Sequence, residues 1–311
     1  MPKIDLQYYP GWVRKVFTFT IDDGNIKLDK KFIDHVKPAG ICGTFNLKTP
    51  LKQASPEEYR ALYRGYEIAN HCKYHAYAFT EETTREHKNE PFDRESADKR
   101  YLYPTAEEGL YRVYTYAWCY VATDEKYLSL VRECSEELEA VFGKGTIRDY
   151  VWPCGEQKSP TCVDRMVKEG GFRSLRKTGN IGAKIGYPLP SDRMHWSYTC
   201  NPLHDDLCAM AKAYEEYPDD GKLTWFCFGL HSHDYENANR WGMLAEFCDR
   251  FGNRPETFWS AAVGEIFDYE DAVKAVVVTD TEIVNPSEVD LYIKVDGKRT
   301  ILGAKSSISI S

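Results

Sequence analysis

Three short stretches of this 311-residue chain hold the residues able to do chemistry. The first is TFTIDDG, Thr18 to Gly24, where a strand-like alternation of apolar and polar residues ends in two adjacent carboxylates and a glycine. Neighbouring like charges at a strand mouth repel, and the remedies are a shared proton, a positive partner or a bound cation. The second is HCKYH, whose His71 and His75 have the spacing that sets two imidazoles on one side of a helical turn, as two-histidine metal motifs do. The third is GLHSHD, where His231 closes the apolar run from Leu223 and His233 follows two residues on. Each has an ordinary explanation when taken alone. DDG is common turn chemistry, and histidine pairs often sit on a surface or in a core with their hydrogen bonds satisfied. Taken together, Asp22, Asp23, His71 and His231 all come from predicted C-terminal strand ends, where barrel proteins gather catalytic groups.

The intervening chain supplies the elements that would position them. Leu28, Phe32 and Val36 recur at helical spacing up to Pro38, and Gly40 to Leu47 reads as a second buried strand. A short helix over 56–64 and a strand over 65–70 then deliver His71. Further on, Tyr127, Val131, Cys134, Leu138 and Val141 line one face of a helix that Gly143 and Gly145 terminate. The spacing then predicts a strand over 147–152, a helix over 163–169 and a strand over 172–175. A helix over 209–216, a strand over 223–231 and a helix through Trp241, Leu244, Phe247 and Phe251 follow. Such alternation implies a parallel sheet, closed into a barrel or doubly wound. Residues 80–124, rich first in charge and then in tyrosine, read as an insertion, partly loop, over one face of the core. Its tyrosines are expected to pack it onto the core, with a sugar-binding rim as the alternative. From 273 onward, β alternation around Leu291, Ile293 and Val295 and a VDGK turn predict a small antiparallel appendage packed on the main body.

Composition narrows the partners. Net charge is −8, with lysines and arginines dispersed, which argues against nucleic acid or an anionic membrane as the partner. No apolar run approaches the roughly 18 residues of a membrane span. The first fifteen residues hold no apolar run of the roughly 7 to 15 that a secretory leader needs, so a cytoplasmic location is expected. The ten cysteines form no CxxC pair and are expected to be reduced, buried thiols.

TIDDG, HCKYH and GLHSHD, in that order, resemble three motifs of the polysaccharide deacetylases, the NodB-type carbohydrate esterase family 4. ECSEELEAVFG followed by DYVWPCG resembles the helix and strand before that family's R-P-P-Y-G motif. The resemblance spans roughly residues 14 to 270. It implies an α/β fold, a distorted (β/α) barrel of the NodB type over 1–272, with the insertion at about 80–124 and the β appendage over 273–311. It also implies hydrolytic removal of acetyl groups from an acetylated oligo- or polysaccharide, an N-acetyl amide ahead of an O-acetyl ester. Carried over position by position, Asp23, His71 and His75 would bind a divalent ion, Zn²⁺ first, with Asp22 as general base and His231 as general acid. The backbone N–H of Cys154, at the place of the family's motif tyrosine, would receive the oxyanion. Two departures stand out. Val151 replaces the arginine that steadies the catalytic aspartate, and Asp192 and Trp196 are only a loose substitute for the family's D-x-x-D-W. Arg176, after the short strand over 172–175, is the candidate to approach Asp22 instead. Trp152 and Trp196, near predicted strand mouths, are candidate stacking faces for sugar rings, whereas Trp225 and Trp241 read as core. His233 is expected beside the site rather than as a fourth ligand. The competing readings are hydrolysis of a non-sugar amide such as a cyclic ureide, and a carbohydrate-binding protein with a degenerate site.

Overall fold

The computed structural model describes residues 2–77, 85–113, 116–121, 123–154, 160–178 and 186–310. The chain opens with β1 (Ile4–Asp5), β2 (Lys15–Asp22), α1 (Ile26–Val36), β3 (Thr44–Thr49), α2 (Pro56–Leu62) and β4 (Glu67–Lys73). Five strands follow: β5 (Ala76–Tyr77), β6 (Glu86–His87), β7 (Tyr101–Pro104), β8 (Leu110–Val113) and β9 (Tyr116–Val121). Alternation resumes with α3 (Asp124–Phe142), β10 (Asp149–Val151), α4 (Pro160–Lys168), β11 (Ser174–Arg176), α5 (Leu207–Glu215) and β12 (Thr224–His231). Then come α6 (Ser232–Asn237), α7 (Trp241–Phe251), β13 (Trp259–Ser260) and α8 (Val263–Ala275). The chain ends with β14 (Val277–Val278), β15 (Glu282–Asn285), β16 (Leu291–Val295), β17 (Lys298–Leu302) and β18 (Ser306–Ser309). Polar residues start several helices. Asn25 and Thr123 accept hydrogen bonds from Leu28 and Lys126 N–H, and Ser55 with Glu58 forms a reciprocal capping box.

The central sheet is parallel, in the order β11-β10-β4-β3-β2-β12, with β13 also pairing with β2. It curls into a half-barrel, and bridges from Trp196 to Arg176 and from Cys200 to Phe228 carry the chain across between its edge strands β11 and β12. Register decides what faces inward. Residues directly opposite one another share a face, and His231, Asp22 and Asn46 lie in one row across β12, β2 and β3. The other face of β2, with Phe17, Phe19 and Ile21, packs under α1 and α7 in the main hydrophobic cluster. A second cluster joins Val16, Trp225 and Cys227 to α8 and the tail strands. At the N-terminal ends of the strands, Arg173 binds Asp149, Glu67 and Asp268. There α8 approaches so closely that a Cβ on Gly264 would lie 1.6 Å from Arg173 Nη2.

The insertion carries a five-stranded sheet, β5-β9-β8-β7-β6, together with stretches at 88–100 and 105–109 that lie outside any helix or strand. Tyr77 and Tyr120 are buried in it with Leu102, and Tyr103 is buried as well, so these tyrosines pack rather than form a rim. Val273 belongs to α8 and not to a strand, because this helix is buried on most of its circumference and hides its period. Beyond it, the tail forms two three-stranded antiparallel sheets, one of which takes in β1 from the other end of the chain. Eight of the ten cysteines are buried and none is disulfide-bonded. No helix among the described residues is long and apolar enough to cross a membrane.

Candidate active site

β2 delivers Asp22 and Asp23 by the alternation that puts Phe17, Phe19 and Ile21 outward. Asp22 points into the half-barrel, while Asp23 leaves the strand in a left-handed conformation at φ 81°. Gly24 follows at φ 69°, and a Cβ there would lie 2.8 Å from Leu47 Cδ2. The two carboxylates consequently meet different surroundings. Asp22 is buried and bound by Arg176, with one Nη2 contact at 2.6 Å to Oδ2, and it accepts from Asn46 Nδ2 at 2.7 Å. Burial alone raises its pKa, but the charges of Arg176, His71 and His231 outweigh that and hold it below the usual range.

Arg176 is the last residue of β11 and the register partner of Val151 on β10. The position where an arginine was expected and the one that holds it thus face the same row, one strand apart. Arg176 also lies over the Tyr198 ring, 5.3 Å from its centroid, and a Cβ on Gly229 would fall 2.4 Å from that ring.

His71 is not on a helical turn. It sits on β4, and Tyr74 and His75 turn back through left-handed conformations that return the second imidazole to the first, with ring centroids 4.9 Å apart. Among the described residues, five of the eleven non-glycine residues with positive φ surround this site, namely Asp23, Cys72, Tyr74, His75 and Cys154. Backbone strain of this kind persists only where the surrounding structure holds it in place. Asp23 Oδ1 lies 3.7 Å from His71 Nε2 and 3.5 Å from His75 Nε2, and the three ligand atoms fall within 4.8 Å of one another.

A divalent cation fits this trio. Asp23 Oδ1 and His71 Nε2 are buried without a hydrogen-bond partner, although Lys48 Nζ is 3.1 Å from the carboxylate as an ion pair. His71 Nδ1 is taken by the Val151 carbonyl at 2.9 Å, which fixes the ring with Nε2 toward Asp23, the outer support metal-binding imidazoles ordinarily have. Burial lowers both imidazoles, His75 to about 3 with help from His71, so both are neutral donors at physiological pH. Asp23, which burial would raise, is held low by His75, Lys48 and His231.

On the other side of Asp22, His231 ends β12 and donates from Nδ1 to Asp234 Oδ2 at 2.7 Å. Burial would lower His231, but the Asp234 hydrogen bond and the charges of Asp22 and Asp23 raise it to about 9, so it carries a proton at neutral pH. His233 stacks on it, with ring centroids 4.7 Å apart, and His231, His233 and Asp234 form a second converging trio. Asp234 was not among the expected site residues. It lies three residues after His231 on α6, a helix of six residues that begins as the strand ends. Asn46 and Lys48, both on β3 and in contact with Asp22 and Asp23 respectively, were missed as well.

Cys154 stands near the trio, with Sγ 3.9 Å from His75 Nδ1 and a left-handed backbone. The two tryptophans are a correction, since neither offers a face to a sugar. Trp152 is 2% exposed and stacks on Tyr127, and Trp196 is 2% exposed between Trp225 and Phe267. Asp192 stays at the surface, bound to His195 at 2.8 Å.

A half-barrel whose strand ends bring together a buried carboxylate, a protonated imidazole and a donor trio for a cation belongs to the hydrolase class. The chain is a member of the polysaccharide deacetylase family, whose model matches residues 13–173. Among solved structures, the chitin deacetylase of the fungal pathogen Colletotrichum lindemuthianum is 13% identical, with a TM-score of 0.44 over 84% of this chain and 89% of that one. The peptidoglycan deacetylase PdaC of Bacillus subtilis is also 13% identical, with a TM-score of 0.45 over 84% and 94%. A Streptococcus mutans CE4 esterase is 15% identical, with a TM-score of 0.43 over 80% and 86%. No curated protein matches the sequence.

Proposed function

We propose that this protein hydrolyses acetyl groups from an acetylated carbohydrate, an N-acetyl amide first and an O-acetyl ester as its near relative. The observation that carries the reading is the Arg176-bound Asp22 standing between the Asp23, His71, His75 trio and the Asp234-bound His231. Asp23, His71 and His75 would hold a divalent ion, and two imidazoles with one carboxylate suit Zn²⁺. Such an ion supplies polarisation of the carbonyl and acidity to water.

The chain's own groups do the rest. Asp22, ionised because Arg176 offsets its burial, takes the proton of the attacking water. The Cys154 N–H donates to the oxygen on which negative charge gathers. His231 then gives its Nε2 proton to the departing nitrogen as the C–N bond breaks, while Asp234 keeps hold of Nδ1. Acetate and a free amine leave. The test is acetate release from acetylated chito-oligosaccharides and acetylxylan after zinc reconstitution. Asp22→Asn is expected to lower kcat by about 10² to 10⁴, and chelation to abolish turnover. Undiminished release from the variant would remove Asp22 as base, and full activity in chelator would remove the metal.

A further inference from the structure

Lys48 has no place in the chemistry described so far. It lies on β3 two residues beyond Asn46, at an irregularity in the strand's register between Leu47 and Thr49, and its side chain is 37% exposed. Its ammonium lies 3.1 Å from Asp23 Oδ1, and Asp23 is the only carboxylate within ion-pair distance of it among the described residues. That carboxylate is also the one that faces both imidazole Nε2 atoms.

Pairing the charges shows the consequence. Arg176 answers Asp22 and Asp234 answers His231. A divalent ion on the trio claims Asp23 and still keeps one charge over. Lys48 then stands beside the ion with no anion of its own, at a rim open to solvent. A half-exposed ammonium next to a reaction centre is a point-charge anchor for a carboxylate or phosphate group. We propose that Lys48 forms an anion subsite at the rim of the centre, which selects acetylated sugars bearing a negative group close to the acetyl group. The proposal rests on the deacetylase reading for its substrate, and not for the binding of the anion.

The experiment has two arms on the zinc-loaded protein. Calorimetry compares glucuronate and glucose 6-phosphate with glucose; none of these carries an acetyl group, so this arm stands even if deacetylation fails. Kinetics compares kcat/KM for acetylated oligosaccharides with and without uronate or phosphate groups. Wild type is expected to prefer the charged ligands by about tenfold, a preference that fades with added salt. Lys48→Met should erase the preference and Lys48→Arg should keep most of it. Preference for the uronate alone or for the phosphate alone identifies the group that is read, and either supports the subsite. Equal binding of charged and neutral sugars by wild type overturns it. So does a preference that survives in Lys48→Met. An equal kinetic loss on charged and neutral substrates would make Lys48 a transition-state donor instead, and also overturns the subsite.

Discussion

Removing Arg176 gives the sharpest test of how the site is held. Its side chain is 1% exposed and that of Asp22 is 8% exposed, so Arg176→Met strands a buried carboxylate that keeps only the Asn46 amide. Breaking a buried pair by deleting one partner costs about 3 to 5 kcal/mol. With an unfolding entropy of about 2.1 cal/mol/K per residue, 1 kcal/mol is worth about 1.5 °C in a chain of this length, so the melting temperature should fall by about 5 to 8 °C. Loss of a positioned base should lower kcat by about 10² or more in the acetate assay. The decisive arm is the exchange Arg176→Val with Val151→Arg. These two positions are register partners, both buried, and the exchange conserves side-chain volume while returning the guanidinium to the same row. It should recover at least half of the melting-temperature loss and about tenfold in kcat. If Arg176→Met keeps kcat/KM within about threefold, or melts like wild type, Arg176 does not hold Asp22.

Asp29 predicts a pH dependence of stability. Buried in α1 and bound by the Tyr63 hydroxyl at 2.6 Å, its carboxyl is pushed up to about 7 by burial. Between about pH 4 and pH 7 the folded chain therefore keeps a proton that the unfolded chain has lost. Stability from this group is full below the unfolded pKa, falls as pH rises, and levels off above about 7, the total reaching about 4 kcal/mol. Urea unfolding at pH 4.5 and 7.5 should show that fall in wild type and show it reduced by about half or more in Asp29→Asn. Asp234→Asn removes the carboxylate that orients His231, and kcat should drop about ten- to a hundredfold with KM little changed; a large rise in KM alone would point to a binding role.

Much of this was legible beforehand, for reasons that differ residue by residue. Asp22 and His231 stand out because strand alternation has a strict period of two and each ends an apolar run. The closeness of His71 and His75 was legible, but its geometry was not. The turn depends on left-handed backbone at Tyr74 and His75, which side-chain type does not announce. Trp152 and Trp196 lie at the expected ends, yet burial there is decided by Tyr127 and Phe267, far away in sequence. The relation between Val151 and Arg176 needed the register of two strands separated by α4. Asp234 was hidden because a strand and a short helix meet without a loop between them.

The insertion sheet has a practical consequence for anyone reshaping the protein. Its first strand, β5, starts at Ala76, immediately after His75, and Ala76 pairs with Cys119 on β9. The return turn that presents His75 is thus clamped from outside by a strand more than forty residues downstream. A segment that looks from its composition like a removable surface loop acts as a bracket for one imidazole. Swapping it for a short linker to obtain a smaller catalyst would loosen the cation site and also strip Leu110, Cys119 and Val121 from the main hydrophobic cluster.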